Sequence, residues 1–306
     1  MLVLAASDKG GTGRSVSSGN ALYRSALQGN DVCYLDFDFG SPTSGAIFDL
    51  VSVERGTKGG RGLHSFFQGV VGEPERLEIW AESDRRELRG RPPGAGRMVL
   101  LPGDADSGEF VATAEMVERC CSLFLRLEEE FDVCLVDLSA GRSHALEMVL
   151  AATAHPSLRH VQSRWLVYHR WTRQHVIAAS GLVHGDSGIL AIGQSMGHNP
   201  REFKDSLRFV HTAVVDPDSV ELAGLQAQQV AWLRACDASL KDLAGQLRVG
   251  RSLLLGSIPL DPVLQWREQI ITDDDVLMRG IANASTRDAF ETLAKKFLDD
   301  SAWEPQ

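Results

Sequence analysis

Five apolar residues at the start of the chain, Leu2 to Ala6 (LVLAA), run directly into SDKGGTGRS and then into a stretch with helical spacing. A glycine-rich turn between a buried strand and a helix restricts a fold severely. Ordering glycine sacrifices more backbone freedom than ordering any other residue. Close approach offsets that loss: around Gly10, Gly11 and Gly13, backbone N–H groups can converge on an anion at the positive end of a helix. The following SVSSGNALYRSALQGN puts Leu22, Tyr23, Ala26 and Leu27 on one face and stops at Gly29-Asn30, so a helix is expected there.

The same alternation continues. DVCYLDFDFG reads as a second strand, and after a glycine-rich loop (Gly56 to Gly62) GLHSFFQGVVGEPERL reads as a short helix. Residues 81–97 are charged and rich in Arg, Pro and Gly, and an exposed hairpin or loop is expected. RMVLLPGD, FDVCLVDLSAG, SRWLVYHR, RFVHTAVVDP and SLLLGSIPLDP read as further strands. ATAEMVERCCSLFLRLEEE, residues 221–247 and a segment from Thr286 to Leu298 read as helices, while 172–210 mixes signals around Gly181, Gly185, Gly188 and Gly197. Apolar strands alternating with helices imply a mostly parallel, doubly wound sheet covered on both faces. With no repeat or low-complexity linker, one three-layer α/β/α domain over residues 1–306 is expected.

Composition narrows the functional classes. A net charge of −10 argues against a broad nucleic-acid surface. No run approaches the ~18 apolar residues of a membrane span, and no signal segment is evident, so membrane insertion is not expected. The five cysteines show no CxxC pair and no metal-ligand spacing, which fits buried thiols in a reducing cytoplasm.

The general phosphate-loop pattern G-x-x-x-x-G-K-[ST] fails at two positions: Asp8 stands at the first glycine and Arg14 at the lysine. The segment KGGTGRS (Lys9 to Ser15) nevertheless resembles the KGG-x-G-K-[ST] loop of the ParA/MinD family of P-loop ATPases at every fixed position except Arg14. DFD at residues 36–38, MVLLPGD, FDVCLVDLSAG and LLLGSIPLDPVLQWRE are similar to that family's later segments, and only 172–247 is hard to match. The resemblance implies ATP and Mg²⁺ as ligands, with Gly10, Gly11, Thr12, Gly13, Arg14, Ser15 and Val16 as the phosphate cradle and Pro259 near the base. It implies that Lys9 reaches a partner's phosphates across a nucleotide-held homodimer, that Arg14 contacts the β- and γ-phosphates, and that Asp38 positions the attacking water. Ser15, Asp36, Asp38 and Asp137 would form the metal surroundings.

Two departures bear on activity. Arginine can bind phosphate through parallel hydrogen bonds, but a planar fork fixed on ground-state oxygens serves the transition state poorly. ATP binding with slow hydrolysis is therefore expected. The family's Asn-Arg pair for adenine is missing, and Thr212 or Asp216 stands in that region, so base preference stays open; Asp216 also reads as a turn residue before Pro217. A nucleotide switch that signals to a protein partner is the leading expectation. A nucleotide-gated scaffold without turnover and a DNA-associated partition ATPase are the alternatives. Candidate DNA contacts are Lys58, Arg61, Arg85, Arg86, Arg89, Arg91 and Arg97, interleaved with acids and read as a solvated or partner-binding loop. Trp165 and Trp171 lie among arginines and read as core or interface, Glu128–Glu130 as a solvated helix end, and Asp273–Asp275 as a loop. The tail from Ala289 reads as a packed helix more than a membrane anchor, since acids accompany Lys295 and Lys296.

Overall fold

The computed structural model describes residues 1–219 and 224–304. Eight strands form one sheet: β1 (Leu2–Ala6), β2 (Val32–Phe37), β3 (Leu77–Glu78), β4 (Met98–Leu101), β5 (Val133–Leu138), β6 (Ser163–Arg170), β7 (Leu207–Val214) and β8 (Leu254–Pro259). Their order is β3-β4-β2-β5-β1-β6-β7-β8. Every neighbouring pair is parallel except β3 with β4. The two-residue β3 was not anticipated, because so short a segment has no periodicity to read.

Six longer helices cover the sheet: α1 (Arg14–Leu27), α2 (Ala114–Glu130), α3 (His144–Ala154), α4 (Arg173–His184), α5 (Ala227–Gln246) and α6 (Ala284–Leu298). Strand residues alternate between two apolar layers, as the pleat requires. Leu2, Leu4, Leu35 and Val136 meet α2, α3 and α4 through Phe124, Val149 and Leu182. Val3, Ala5, Tyr34 and Leu135 meet α1 and α6 through Leu22, Phe290 and Phe297. This is the doubly wound arrangement expected from the sequence. Residues 220–223, where the helical stretch 221–247 was expected to begin, lie outside the described residues; α5 covers the later part of it.

Three local expectations need correction. Residues 81–97 are not simply an exposed loop: Ser83 and Leu88 are buried, and Arg85 pairs with the fully buried Asp275 while donating to the Ile270 carbonyl at 2.6 Å. Desolvation makes a lone buried charge costly, so each partner keeps the other inside. Asp273–Asp275 is not a loop either. It opens a helical turn, Asp273–Leu277, where Thr272 and Asp275 form a reciprocal capping box. Third, Arg173–Ser195 has the length and apolar composition of a membrane span, contrary to the reading that no run approaches one. Its chain breaks at Gly185–Gly188 into α4 and the short helix Ile189–Ser195, with Val176, Leu182 and Ile189 buried against the domain. The ambiguous 172–210 region thus holds α4, Ile189–Ser195 and a further turn of helix, Pro200–Asp205.

Trp165 lies in the core. The C-terminal segment packs as expected, with α6 burying Phe290, Leu293 and Phe297.

Candidate functional site

Strand order brings the site together. β1 lies between β5 and β6, and β2 lies beyond β5, so the turn after Ala6 meets the ends of β2 and β5 at one edge of the sheet. In register, Asp36 stands beside Asp137, and Ala5 stands on the other side of Asp137. Ligand sites of open parallel sheets sit at such carboxyl ends, where loops part to either side.

The turn itself is built by glycine. Gly11 and Gly13 have φ of +70° and +75°, a region that L side chains rarely enter. Gly13 is the N-cap of α1 and accepts from the Ser17 N–H at 2.9 Å. A Cβ on Gly13 would find ordinary contacts with Ser17 Oγ and Thr212 Cβ, both at 3.8 Å, so the backbone and not space excludes a side chain. Thr212 Oγ1 donates to the Thr12 carbonyl at 2.5 Å and ties the turn to β7. The Gly141 N–H donates to the Ser7 carbonyl at 2.7 Å and ties it to the loop after β5.

A cleft of about 660 Å³ opens over this turn. Gly10 to Ser17 floor it, while Lys9, Asp38, Arg170, Thr212 and Pro259 contribute walls. Lys9 is exposed, and its ammonium pairs with no carboxylate among the described residues. A larger cavity of about 990 Å³ lies beyond Pro259, lined by Trp171, His211, Asp216 and Lys241. It lacks the glycine turn, so the smaller cleft is the one equipped for an anion.

Arg14 lines the cleft, but most of its donors turn to the acids at the strand ends. Its side chain is only 6% exposed and lies across the acids at the strand ends. Nε donates to Asp137 Oδ1 at 2.5 Å, Nη1 to Ser7 Oγ at 3.1 Å, and Nη2 to Asp38 Oδ2 at 3.2 Å and Ser15 Oγ at 3.4 Å. Burial disfavours the guanidinium charge, yet Asp137 and Asp38 more than offset this and hold it protonated. Tyr34 Oη donates to the other oxygen of Asp137 at 2.7 Å. Burial, reinforced by Asp137, pushes that phenol well above its usual range. Asp36 turns away: its oxygens accept the N–H groups of Ser44 at 3.0 Å and Asp38 at 3.2 Å. Burial lifts its carboxyl to about 7, although the Ser44 bond works in the opposite direction. Asp38 is also raised by burial, with Arg14 pulling it back.

The residues expected around the cleft, Lys9, Gly10 to Val16, Asp38 and Pro259, do surround it, and Asp36 and Asp137 lie just behind. Ser7, Tyr34 and Arg170 were missed. Tyr34 had a signal, for it shares a strand face with Asp36 in CYLDFD. Of the two residues weighed for the base, Thr212 is committed to the Thr12 carbonyl, and Asp216 accepts the Asp218 N–H at 3.0 Å in a turn.

The anion cradle fits a nucleotide's phosphates. The metal surroundings do not fit as they stand. Asp137, Asp36, Asp38 and Ser15 all accept hydrogen bonds from protein donors, and the described residues contain no group of three or more His, Cys, Asp or Glu arranged to hold a metal ion.

Sheet order, glycine turn and flanking helices together define a doubly wound α/β/α fold. Solved structures with this fold cover nearly the whole chain. A chain of the MinC:MinD cell division protein complex from Aquifex aeolicus superposes with a TM-score of 0.60 at 16% identity, covering 97% of this chain and 95% of that one. Septum site-determining protein MinD from Pyrococcus horikoshii, complexed with Mg-ADP, gives 0.53 at 15% identity, covering 98% and 96%. A plasmid partition protein from Borrelia burgdorferi bound to AMPPNP gives 0.57 at 12% identity, covering 97% of each chain. No family model and no curated protein matches the sequence.

Proposed function

We propose that this chain is a nucleotide switch of the ParA/MinD type, which binds ATP in the cleft over residues 10–16, closes into a homodimer and is read by a protein partner. The observation carrying this is the glycine turn at the head of α1, with positive φ at Gly11 and Gly13, facing a cleft that also collects Lys9 and Arg170. Backbone donors, a helix N-terminus and two cations are what a chain of phosphates requires. The solved structures with Mg-ADP and AMPPNP support a nucleotide as the ligand, and the MinC:MinD complex supports a protein partner.

Lys9, exposed at the lip, is the residue that would reach the phosphates of a second copy. Trp266, 89% exposed, adds apolar surface on the helix Pro262–Trp266, whose Leu264 and Gln265 line the same cleft. Hydrolysis is slow in this reading. Asp38, the candidate for orienting water, already accepts from Arg14, and an arginine fixed on acids cannot follow charge onto a leaving phosphate. All five cysteines are free thiols, consistent with work in a reducing cytoplasm. A DNA-partitioning role is weaker: Arg61, Arg85, Arg89 and Arg97 are engaged with Glu75, Asp275, Asp84 and Asp31.

Light scattering of the purified chain with ADP, ATP or GTP, run beside a phosphate-release assay, tests this. The expected result is a dimer with ATP alone, with scarcely any turnover. Rapid multi-turnover phosphate release, abolished by Asp38→Ala, would contradict slow hydrolysis; a monomer with every nucleotide would contradict the switch.

A further inference from the structure

We propose that the guanidinium of Arg14 takes the place of the divalent cation at the phosphate site, so that a nucleoside triphosphate binds this chain without a metal. The inference rests on the reading that the cleft holds a nucleotide. It comes from the disposition of the four groups best placed to surround a cation. Asp137 has one oxygen on Arg14 Nε at 2.5 Å and the other on Tyr34 Oη at 2.7 Å. Asp38 and Ser15 both accept from Arg14 Nη2, at 3.2 and 3.4 Å. Asp36 has both oxygens on backbone N–H groups. A divalent ion entering here would have to take Asp137 from a cation that cannot lose its proton, and then lie beside it. Repulsion between the two would act across a poorly solvated space.

The donor count shows what Arg14 can do once fixed. A guanidinium carries five N–H donors in a fixed plane. Nε gives one to Asp137, Nη2 gives two to Asp38 and Ser15, and Nη1 gives one to Ser7. One N–H on Nη1 has no partner among the described residues, and Arg14 is one of the residues lining the cleft. The same side chain thus neutralises the two acids behind the turn and retains a donor for a phosphate oxygen. Lys9 and Arg170, on the cleft walls, supply the remaining positive charge.

Calorimetric titration of ATP into the wild-type chain, in magnesium and in excess EDTA, tests the proposal, with Arg14→Lys as the comparison variant. Its fold is checked first by circular dichroism. Lysine has three donors on one atom and no fork, so it cannot hold Asp137, Asp38 and Ser7 together. Wild type is expected to bind ATP with affinities within about threefold in the two buffers, whereas Arg14→Lys loses about tenfold or more in EDTA. Electron paramagnetic resonance with Mn²⁺ supplies a second readout. Wild type with ATP should show only the signal of Mn²⁺–ATP free in solution, and Arg14→Lys a protein-bound species. A wild-type loss of tenfold or more on chelation, or a protein-bound Mn²⁺ signal, would overturn the substitution while leaving nucleotide binding intact. Absence of binding in both buffers would instead remove the nucleotide reading on which the proposal stands.

Discussion

Arg14→Ala is expected to destabilise the chain by roughly 3–5 kcal/mol, the usual penalty for removing one partner of a buried ion pair. Asp137 is 2% exposed and, among the described residues, has Arg14 as its only cationic partner within hydrogen-bonding distance. Without the guanidinium it must either stay charged with only Tyr34 to satisfy it or take up a proton. Asp38, whose side chain is 28% exposed, retains access to water, so most of the loss should come from Asp137. Urea denaturation measures this directly, and a second substitution identifies the cause. Asp137→Asn in the Arg14→Ala background removes the stranded charge and should restore more than half of the lost stability, a non-additive result diagnostic of direct coupling. A single variant within about 1 kcal/mol of wild type would mean that the pair is worth no more than an exposed one.

Mild acid should destabilise the chain through two buried histidines on neighbouring strands. His169 and His211 are buried on β6 and β7, with ring centroids 4.7 Å apart, and Trp171 stacks on His211 at 4.0 Å. Neither Nε2 has a hydrogen-bond partner among the described residues. Burial lowers His169 to about 4, and burial together with its neighbour lowers His211 to about 3. In the unfolded chain both titrate near 6.5. As pH falls below that value, the unfolded state takes up protons that the native state refuses. Stability is therefore full above about pH 6.5 and declines down to the native values. Each histidine contributes a slope approaching about 1.4 kcal/mol per pH unit. Urea titrations between pH 7 and 4.5 should show this slope. His169→Phe and His211→Phe, which keep a ring in place, should each flatten it; an unchanged slope in both variants would assign acid sensitivity elsewhere.

The parts legible in the sequence were those fixed by local pattern. The strand, glycine turn and helix at residues 2–27 follow from spacing alone, and the acids of DFD and VDL reach one edge because they end apolar runs in a parallel sheet. What the sequence concealed were contacts between distant charges. Arg14 and Asp137 are 123 residues apart, and nothing near either one tells whether the guanidinium turns toward the cleft or the acids. Arg85 and Asp275, 190 residues apart, read as members of a solvated or partner-binding loop and of a second loop, yet the two pair with Asp275 fully buried. Short elements failed for a related reason. β3 and the turn Asp273–Leu277 have too few residues for a period; β3 forms by pairing with β4, and the turn is closed by the Thr272–Asp275 capping box.

The central claim is that the glycine turn at residues 10–16 grips a nucleoside triphosphate, and calorimetric titration of ATP into the wild-type chain and Gly13→Ala tests it most directly. Space around Gly13 admits a Cβ, so the variant should fold at a backbone cost of only about 1–2 kcal/mol. Expected are one nucleotide per wild-type chain and a loss of about tenfold or more in affinity for the variant. Saturable binding that survives Gly13→Ala unchanged, or no binding by the folded wild-type protein, would contradict the claim.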